Sequence, residues 1–391
     1  MMKRISPTVI EINLEALRHN YRQLKKKIPT GVKTLSVVKS NAYGHGAQRI
    51  ARILQDEGAD YFGAGTVDEG IELREAGIKR PILILLGLVE DHLESLLRYQ
   101  LTPVIYDLKT AEVFQSELER TKRKLPIHLK VDTGMTRLGI STKQVGEVLD
   151  ALKKMPSLEL AGLMTHLADA TNQEFTARQI KAFDEARREF SLRFPHTKLL
   201  HFANSQAVID GNIAPVPSST GGTGKSRDRD NDIEWMARLG IALYGSYPTD
   251  KKAIAKGVEL KPVLHWKTHV IAVKKVPAKT AVSYGRTFVT KKESVIGVIP
   301  VGYADGYPRI LSNKTEVLLR GKRVPVVGTI CMDMMMVDIT SLPGIKTGEE
   351  VVLIGKQGKE EILAEELAKS AGTIPYEIFC RISERIPRVY K

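Results

Sequence analysis

TLSVVKSNAYGHGAQRIARILQDEGADYFGA, residues 34–64, reads as one strand–helix–strand unit. Residues 34–38 form a short apolar and β-branched run, residues 47–57 repeat their apolar side chains at helical spacing, and residues 61–64 return to strand texture. The alternation continues outward from this unit. Further strands are expected at 82–86, 102–105, 127–131, 158–164, 199–202 and 238–243, with helices over 67–76, 108–119, 143–154 and 176–193. Strands alternating with helices imply a parallel sheet. Eight strands within about 240 residues match a (β/α)8 TIM-type barrel in number and size. A doubly wound sheet is the competitor, which periodicity alone does not exclude. Beyond residue 259 strand-like runs crowd together at 263–276, 294–301, 316–319, 324–329, 334–339 and 350–354, with one helix at 362–371. The expected fold class is therefore α/β: a barrel over residues 1–259, then a mostly β domain over 260–391.

Composition narrows the function classes. A chain of 391 residues with 42% hydrophobic and 27% charged residues has the balance of a globular protein rather than a disordered one. The formal charge of +14 invites a nucleic-acid reading, but the basic residues are spread along the whole chain. The longest run, Lys25-Lys26-Lys27, falls at the end of an expected amphipathic helix, where cations suit the helix dipole. No nucleic-acid partner is expected. The only cysteines, Cys331 and Cys380, form no CxxC, which favours a reducing compartment. No stretch reaches the ~18 apolar residues of a membrane span, and no signal-peptide core follows the basic start. These features place the protein in the cytoplasm, without a membrane partner. Residues 214–232, APVPSSTGGTGKSRDRDND, lack large apolar groups and read as a mobile surface insertion.

Three motifs fail on inspection. GGTGKS resembles a phosphate-binding loop, but Ser219 stands where the first glycine is required, and neither strand nor helix flanks it. Gly63-Ala64-Gly65 follows a strand, yet Asp68 takes the third glycine position of a dinucleotide fingerprint. There is no HExxH, and His265 and His269 lie four apart on an expected strand, roughly 13 Å, too far to share one ion. No metal is expected.

VVKSNAYGHG, residues 37–46, is the informative segment. It puts Lys39 at the C-terminal end of the first barrel strand, the face where barrel active sites form. A partly desolvated lysine there loses its charge readily and can form a Schiff base. Lys130 and Asp132 end strand five, His166 follows strand six, Asn204 and Ser205 follow strand seven, and Arg238 lies on strand eight. So many charged groups are costly to bury without partners; an anionic cofactor and a carboxylate substrate would use them. The stretches 204–205 and 241–245 could supply N–H and hydroxyl donors to a phosphate.

With those residues in view, VVKSNAYGHG, KVDTGMTRLG (130–139), MTHLADA (164–170), HFANS (201–205), RLGIALYG (238–245), VSYGRTF (282–288), VGYADGYPR (301–309), CMDMMMVD (331–338) and TIPYEIFCRI (373–382) resemble the alanine racemases. The segments run in family order from end to end; the insertion 214–232 is the main departure. The resemblance implies pyridoxal 5′-phosphate (PLP) as cofactor, held covalently by Lys39. Tyr43, Ser205, Gly240, Ile241 and Tyr376 match phosphate-binding positions, His166 the residue lying against the cofactor, and Arg238 the arginine facing the pyridine nitrogen. Tyr284 matches a catalytic tyrosine donated by the second subunit of a homodimer with shared active sites. Arg137 and Met332 match substrate-carboxylate contacts, Asp333, Arg309 and Tyr376 the entrance, and Lys130 a lysine found carbamylated.

The residue types suit the implied reaction, interconversion of L- and D-alanine, which supplies D-alanine for peptidoglycan. Two bases on opposite faces, Lys39 and Tyr284, spare one base from swinging across a planar intermediate. Free lysine and tyrosine side chains titrate near ~10, so nearby cations or desolvation must help them. Arg238 can donate to the pyridine nitrogen but will not readily leave it protonated. That makes a weaker electron sink than an acid partner would, and favours racemisation over decarboxylation or transamination. A serine or broad-specificity racemase of the same family remains the alternative at this point.

Overall fold

The computed structural model describes residues 6–86, 88–197, 199–213, 233–248 and 256–391. Eight parallel strands close into a barrel: Lys33–Val37, Tyr61–Ala64, Ile82–Ile84, Leu101–Ile105, Leu125–Asp132, Leu158–Met164, Leu199–His201 and Glu234–Leu239. Closure is explicit in the register, since Leu35 of the first strand pairs with Arg238 of the eighth. Helices cover the outside, so central strands such as Ile82–Ile84 and Leu101–Ile105 are buried on both faces, which is why they read as mostly apolar runs. Polar side chains start the helices at the ends of their loops. Asp107 accepts from the Thr110 N–H at 2.8 Å and Asn172 from the Phe175 N–H at 3.0 Å, satisfying donors that the first helical turn leaves open.

The eighth strand lies earlier than the 238–243 expected from apolar texture. It runs over Glu234–Leu239, Gly240 breaks it at φ −116° and ψ −115°, and Ile241–Tyr244 form a tight 3-10 turn. The apolar run there leaves the sheet and packs against the helix Leu14–Lys27: Ile241–Tyr244 are all buried, Asn20 Nδ2 donates to the Leu243 carbonyl at 3.0 Å, and the Tyr244 hydroxyl donates to the Val37 carbonyl at 2.9 Å. The insertion 214–232 lies outside the described residues. Of its described flanks, Ile233 stands at the start of this strand, the opposite end from Gly240.

Ten further strands build a second sheet, antiparallel except at one edge, while Ala281–Val282 and Phe288–Val289 form a separate two-stranded ribbon and Ile140–Ser141 adds to the barrel strand Leu125–Asp132. The expected run 263–276 is two strands, Leu264–His269 and Ala272–Val276. The chain turns between them, where the Val270 N–H donates to the Glu349 carbonyl and the Ile271 N–H to the Val298 carbonyl, each at 2.9 Å. One continuous segment thus serves two distant positions in the strand order and curls the sheet. Residue 362 closes a short strand, Glu360–Ile362, and the helix begins at Ala364.

The chain's first strand does not belong to the barrel. Val9–Ile12 pairs antiparallel with Leu264–His269 and parallel with Arg388–Tyr390. Asn13 then caps the helix Leu14–Lys27, which packs beside the barrel.

Candidate active site

The turn after the first barrel strand is left-handed. Ser40, Asn41, Ala42 and Tyr43 all have φ between 51° and 53°, a conformation that costs an L-residue roughly 1–2 kcal/mol. Neighbours hold it. The Glu69 carboxylate accepts from the Ser40 N–H and the Gly65 N–H, both at 2.6 Å. Asn41 Oδ1 accepts from the Ala47 N–H at 2.7 Å, and the buried His45 ring Nδ1 lies 2.8 Å from the Tyr43 carbonyl. A tail segment closes the other side: a Cβ on Gly46 would lie 1.8 Å from the Tyr390 hydroxyl oxygen, and the Arg388 Nε–H donates to the Gly44 carbonyl at 3.1 Å. This frame fixes Lys39 at the barrel mouth and turns Tyr43 inward, its ring 5.8 Å from that of Tyr376.

Three cations, Lys39, Lys130 and Arg137, share the mouth, with Arg238 behind them. Burial, then the Arg137 charge, lowers the Lys39 ammonium below the ordinary lysine value. Burial, then Arg137 and Arg238, draws Lys130 down to about 8. Asp132 faces its own loop instead of a ligand. Its Oδ1 accepts from the N–H groups of Gly134, Met135 and Thr136 at 2.8–3.1 Å, and its Oδ2 from that of Arg137 at 3.2 Å. Burial pushes the carboxyl up, but these four donors outweigh it and hold it below the ordinary value. Asn204 is likewise a cap, accepting from the Ala207 N–H at 3.0 Å.

Behind the mouth, Arg238 is buried, and no carboxylate among the described residues pairs with it. Its Nη atoms donate to the carbonyls of Thr165, His201 and Phe202 and to the Nδ1 atoms of His201 and His166, at 2.8–3.1 Å. Because Arg238 can only donate, His201 Nδ1 is bare; its Nε2–H therefore donates to His128 Nδ1 at 2.9 Å. Burial followed by the Arg238 charge keeps His166 and His201 far below the usual imidazole value and His128 near 3, so all three rings are neutral. Burial pulls the guanidinium itself down to about 9, still charged at neutral pH. Glu69, His128 and His201 escaped the sequence reading. His201 stood in a quoted motif, but no spacing announces a tautomer-fixed pair behind an arginine.

The chemistry left open fits PLP. Nε is the guanidinium nitrogen of Arg238 without an acceptor among the described residues, which suits a pyridine nitrogen. Ser205 Oγ accepts from the Gly240 N–H at 2.8 Å, leaving its own proton free, and the Ile241 N–H has no acceptor among the described residues. A Cβ on Gly240 would intrude on this cradle, 3.3 Å from the Tyr43 hydroxyl and 3.7 Å from Ser205 Oγ. Burial raises both tyrosines, Tyr376 to about 12, so they stay protonated and able to donate to a phosphate.

The other expected site residues lie on the β domain. Tyr284 stands on the short turn Tyr284–Arg286 with 73% of its surface exposed, and Met332 is 54% exposed. The Asp333 carboxylate accepts from Arg385 Nη2 at 2.8 Å, while Arg385 Nε binds the buried Asp305 at 2.8 Å. Arg309 is exposed on the turn Arg309–Leu311. No hydrogen bond among the described residues joins the Tyr284 side chain to the barrel mouth of its own chain.

A lysine-bearing barrel mouth with a phosphate cradle and an arginine at its base defines the class, a PLP enzyme on a TIM-type barrel joined to a β domain. The family models described as alanine racemase, N-terminal domain, and alanine racemase, C-terminal domain, match residues 12–248 and 263–390. This chain belongs to the alanine racemase family. "Alanine racemase 2" of Caldanaerobacter subterraneus subsp. tengcongensis is 39% identical, over 100% of this chain and 96% of its own length. The solved alanine racemase of Clostridium difficile is 34% identical with a TM-score of 0.87, covering 100% of this chain and 97% of its own. That of Bartonella henselae, described with covalently bound pyridoxal phosphate, is 29% identical with a TM-score of 0.83, covering 99% of this chain and all of its own.

Proposed function

We propose that this protein interconverts L- and D-alanine with PLP and so supplies D-alanine for peptidoglycan precursors. The observation that carries the reading is Arg238, a permanently donating group where the cofactor's ring nitrogen would lie, with no acid beside it among its bonded partners. Lys39 would hold the cofactor covalently; Ser205, Gly240, Ile241, Tyr43 and Tyr376 would hold its phosphate, and His166 would lie against its ring. When bound, PLP supplies the electron sink that acidifies the substrate α-hydrogen.

The chain's own residues do the rest. The Arg137 guanidinium and the Met332 N–H, which lacks an acceptor among the described residues, bind the substrate carboxylate. Burial and the Arg137 charge enlarge the neutral fraction of Lys39, so its Nζ can take a proton from one face of the substrate. The Tyr284 hydroxyl takes or returns the proton on the other. Tyr376 and Tyr284 narrow the space beside the substrate Cα and favour a methyl side chain. Asp333 and Arg309 stand at the entrance, and a carbamate on Lys130 would face Arg137 with a negative charge.

Tyr284 needs a second subunit. Its exposure, and that of Met332, Met334 and Ile310 on the same domain, leaves apolar surface that a two-fold dimer would cover. Tyr284 then enters the partner's barrel mouth. The test is direct. The purified protein should absorb as a lysine-bound pyridoxal, borohydride should fix the label on Lys39, and L-alanine should yield D-alanine. Label without D-alanine would overturn the racemase reading, and equal kcat/KM for serine would overturn the preference for alanine.

A further inference from the structure

The tip that carries Tyr284 is held in a backbone shape that L-residues rarely adopt. Ser283 has φ 65° and ψ −178°, a region essentially reserved for glycine, and Gly285 and Arg286 follow at φ 70° and 50°. The ladder beneath is only two pairs long, Ala281 with Val289 and Val282 with Phe288. So short a ribbon does not order its own tip.

A neighbouring loop does. The Ser283 hydroxyl donates to the Thr329 carbonyl at 2.5 Å, and the buried Thr329 hydroxyl donates back to the Tyr284 carbonyl at 2.7 Å. With that proton committed, the Thr287 hydroxyl must be the donor in its 3.4 Å contact with Thr329 Oγ1. Asn313 Nδ2 donates to Thr287 Oγ1 at 3.0 Å, and Asn313 Oδ1 accepts from the Gly328 N–H at 2.6 Å. The two segments also touch directly, since a Cβ on Gly328 would lie 2.7 Å from the Val282 carbonyl oxygen. Three residues past Thr329 is Met332, whose N–H is the proposed carboxylate donor.

We infer that Ser283 and Thr329 are positioning residues: their reciprocal hydroxyl–carbonyl clamp aims Tyr284 and locks it to the loop that presents the Met332 N–H. Serine at 283 is otherwise hard to explain, because glycine would take this backbone without strain. Only a hydroxyl closes the clamp. The inference rests on Tyr284 being one of the two bases.

The test uses the full-length holoenzyme with Ser283→Ala, Ser283→Gly, Thr329→Val, Thr329→Ser and Tyr284→Phe. Loosening a base by a fraction of an ångström to 1 Å costs up to ~100-fold, so the first three should lose roughly 10- to 100-fold in kcat/KM. With α-deuterated alanine the primary isotope effect should rise for one enantiomer only, the one whose hydrogen Tyr284 takes. Amides 283–287 should exchange faster, while PLP content stays at wild type and Thr329→Ser restores the rate. Activity lost with both isotope effects unchanged would refute the clamp as a positioning device, as would Ser283→Gly behaving as wild type. Should Tyr284→Phe itself leave rate and isotope effects untouched, the role of Tyr284 as a base falls. Impairment in Tyr284→Phe with intact clamp variants refutes the clamp alone.

Discussion

Replacing Asp132 by Asn tests whether one carboxylate holds the loop that carries Arg137. Oδ1 takes three N–H groups and Oδ2 takes the fourth, that of Arg137 itself. An amide oxygen can stay with the first three, but they change from charge-assisted to neutral bonds, about 0.5–1 kcal/mol each. The amide nitrogen then meets the Arg137 N–H donor to donor, losing about 1 kcal/mol more. The site is half open to solvent, which trims the sum to about 2 kcal/mol, or a roughly 30-fold rise in local opening. Hydrogen exchange at Gly134–Arg137 should show that loss of protection, and KM for alanine should rise more than kcat falls. The pH dependence follows in sign. A carboxyl held below its unfolded value stabilises fully above about pH 4, and that contribution disappears as pH falls through the lower folded value. After correction for intrinsic exchange, wild-type protection at these amides should collapse in that acid range and Asp132→Asn should be flat. Equal protection in the two proteins at pH 7 would refute the reasoning.

Lys39→Ala should abolish racemisation and the lysine-bound pyridoxal absorbance; retained absorbance would show that another amine holds the cofactor. Arg238→Glu leaves four buried acceptors, and the half-buried His166 Nδ1, without their donor. It should cost roughly 3 kcal/mol or more of stability and raise the pyruvate formed per turnover, a yield that stays flat if Arg238 does not face the ring. Lys130, drawn down to about 8 by burial and then Arg137, should add a carbamate carbon signal from labelled bicarbonate that grows above that pH and is lost in Lys130→Gln; its absence from wild type would remove the carbamate. Mixing Lys39→Ala with Tyr284→Phe subunits makes about half the dimers hybrid, each with one intact site. Recovery should approach roughly a quarter of wild-type activity, whereas a Tyr284 acting within its own chain would give none.

Most of the barrel was legible because its signals are local. A strand buried on both faces reads as an apolar run, and the helix that follows reads by its period. The misplacement of the eighth strand shows the limit: 241–244 is as apolar as a strand, yet it forms a buried turn against the helix Leu14–Lys27, and Gly240 turns the backbone. The segment 263–276 has strand texture throughout, and only its two separate sets of partners reveal the bend at Val270 and Ile271. In the site, Lys39 was readable from its place after a strand and before a glycine turn. The left-handed path of residues 40–43 was not, since Ser, Ala and Tyr have no preference for it and the groups that impose it, Glu69 and Tyr390, are distant in sequence. Asp132 looked like a ligand for the same reason: a carboxylate at a strand end carries no mark that its acceptor sites are filled by its own loop.

The position of Val9–Ile12 has a consequence for how the protein is made. This strand leaves the ribosome ahead of the barrel, but its antiparallel partner Leu264–His269 follows about 250 residues later, and Arg388–Tyr390 later still. At ordinary synthesis rates the first segment therefore waits roughly 10–50 s with its edge unpaired. The barrel can close during that interval, whereas the β domain cannot be completed until residues 388–390 have emerged. Residues 260–391 produced alone would lack an interior strand and expose the edges of Leu264–His269 and Arg388–Tyr390, and supplying residues 6–13 as a peptide should complement them.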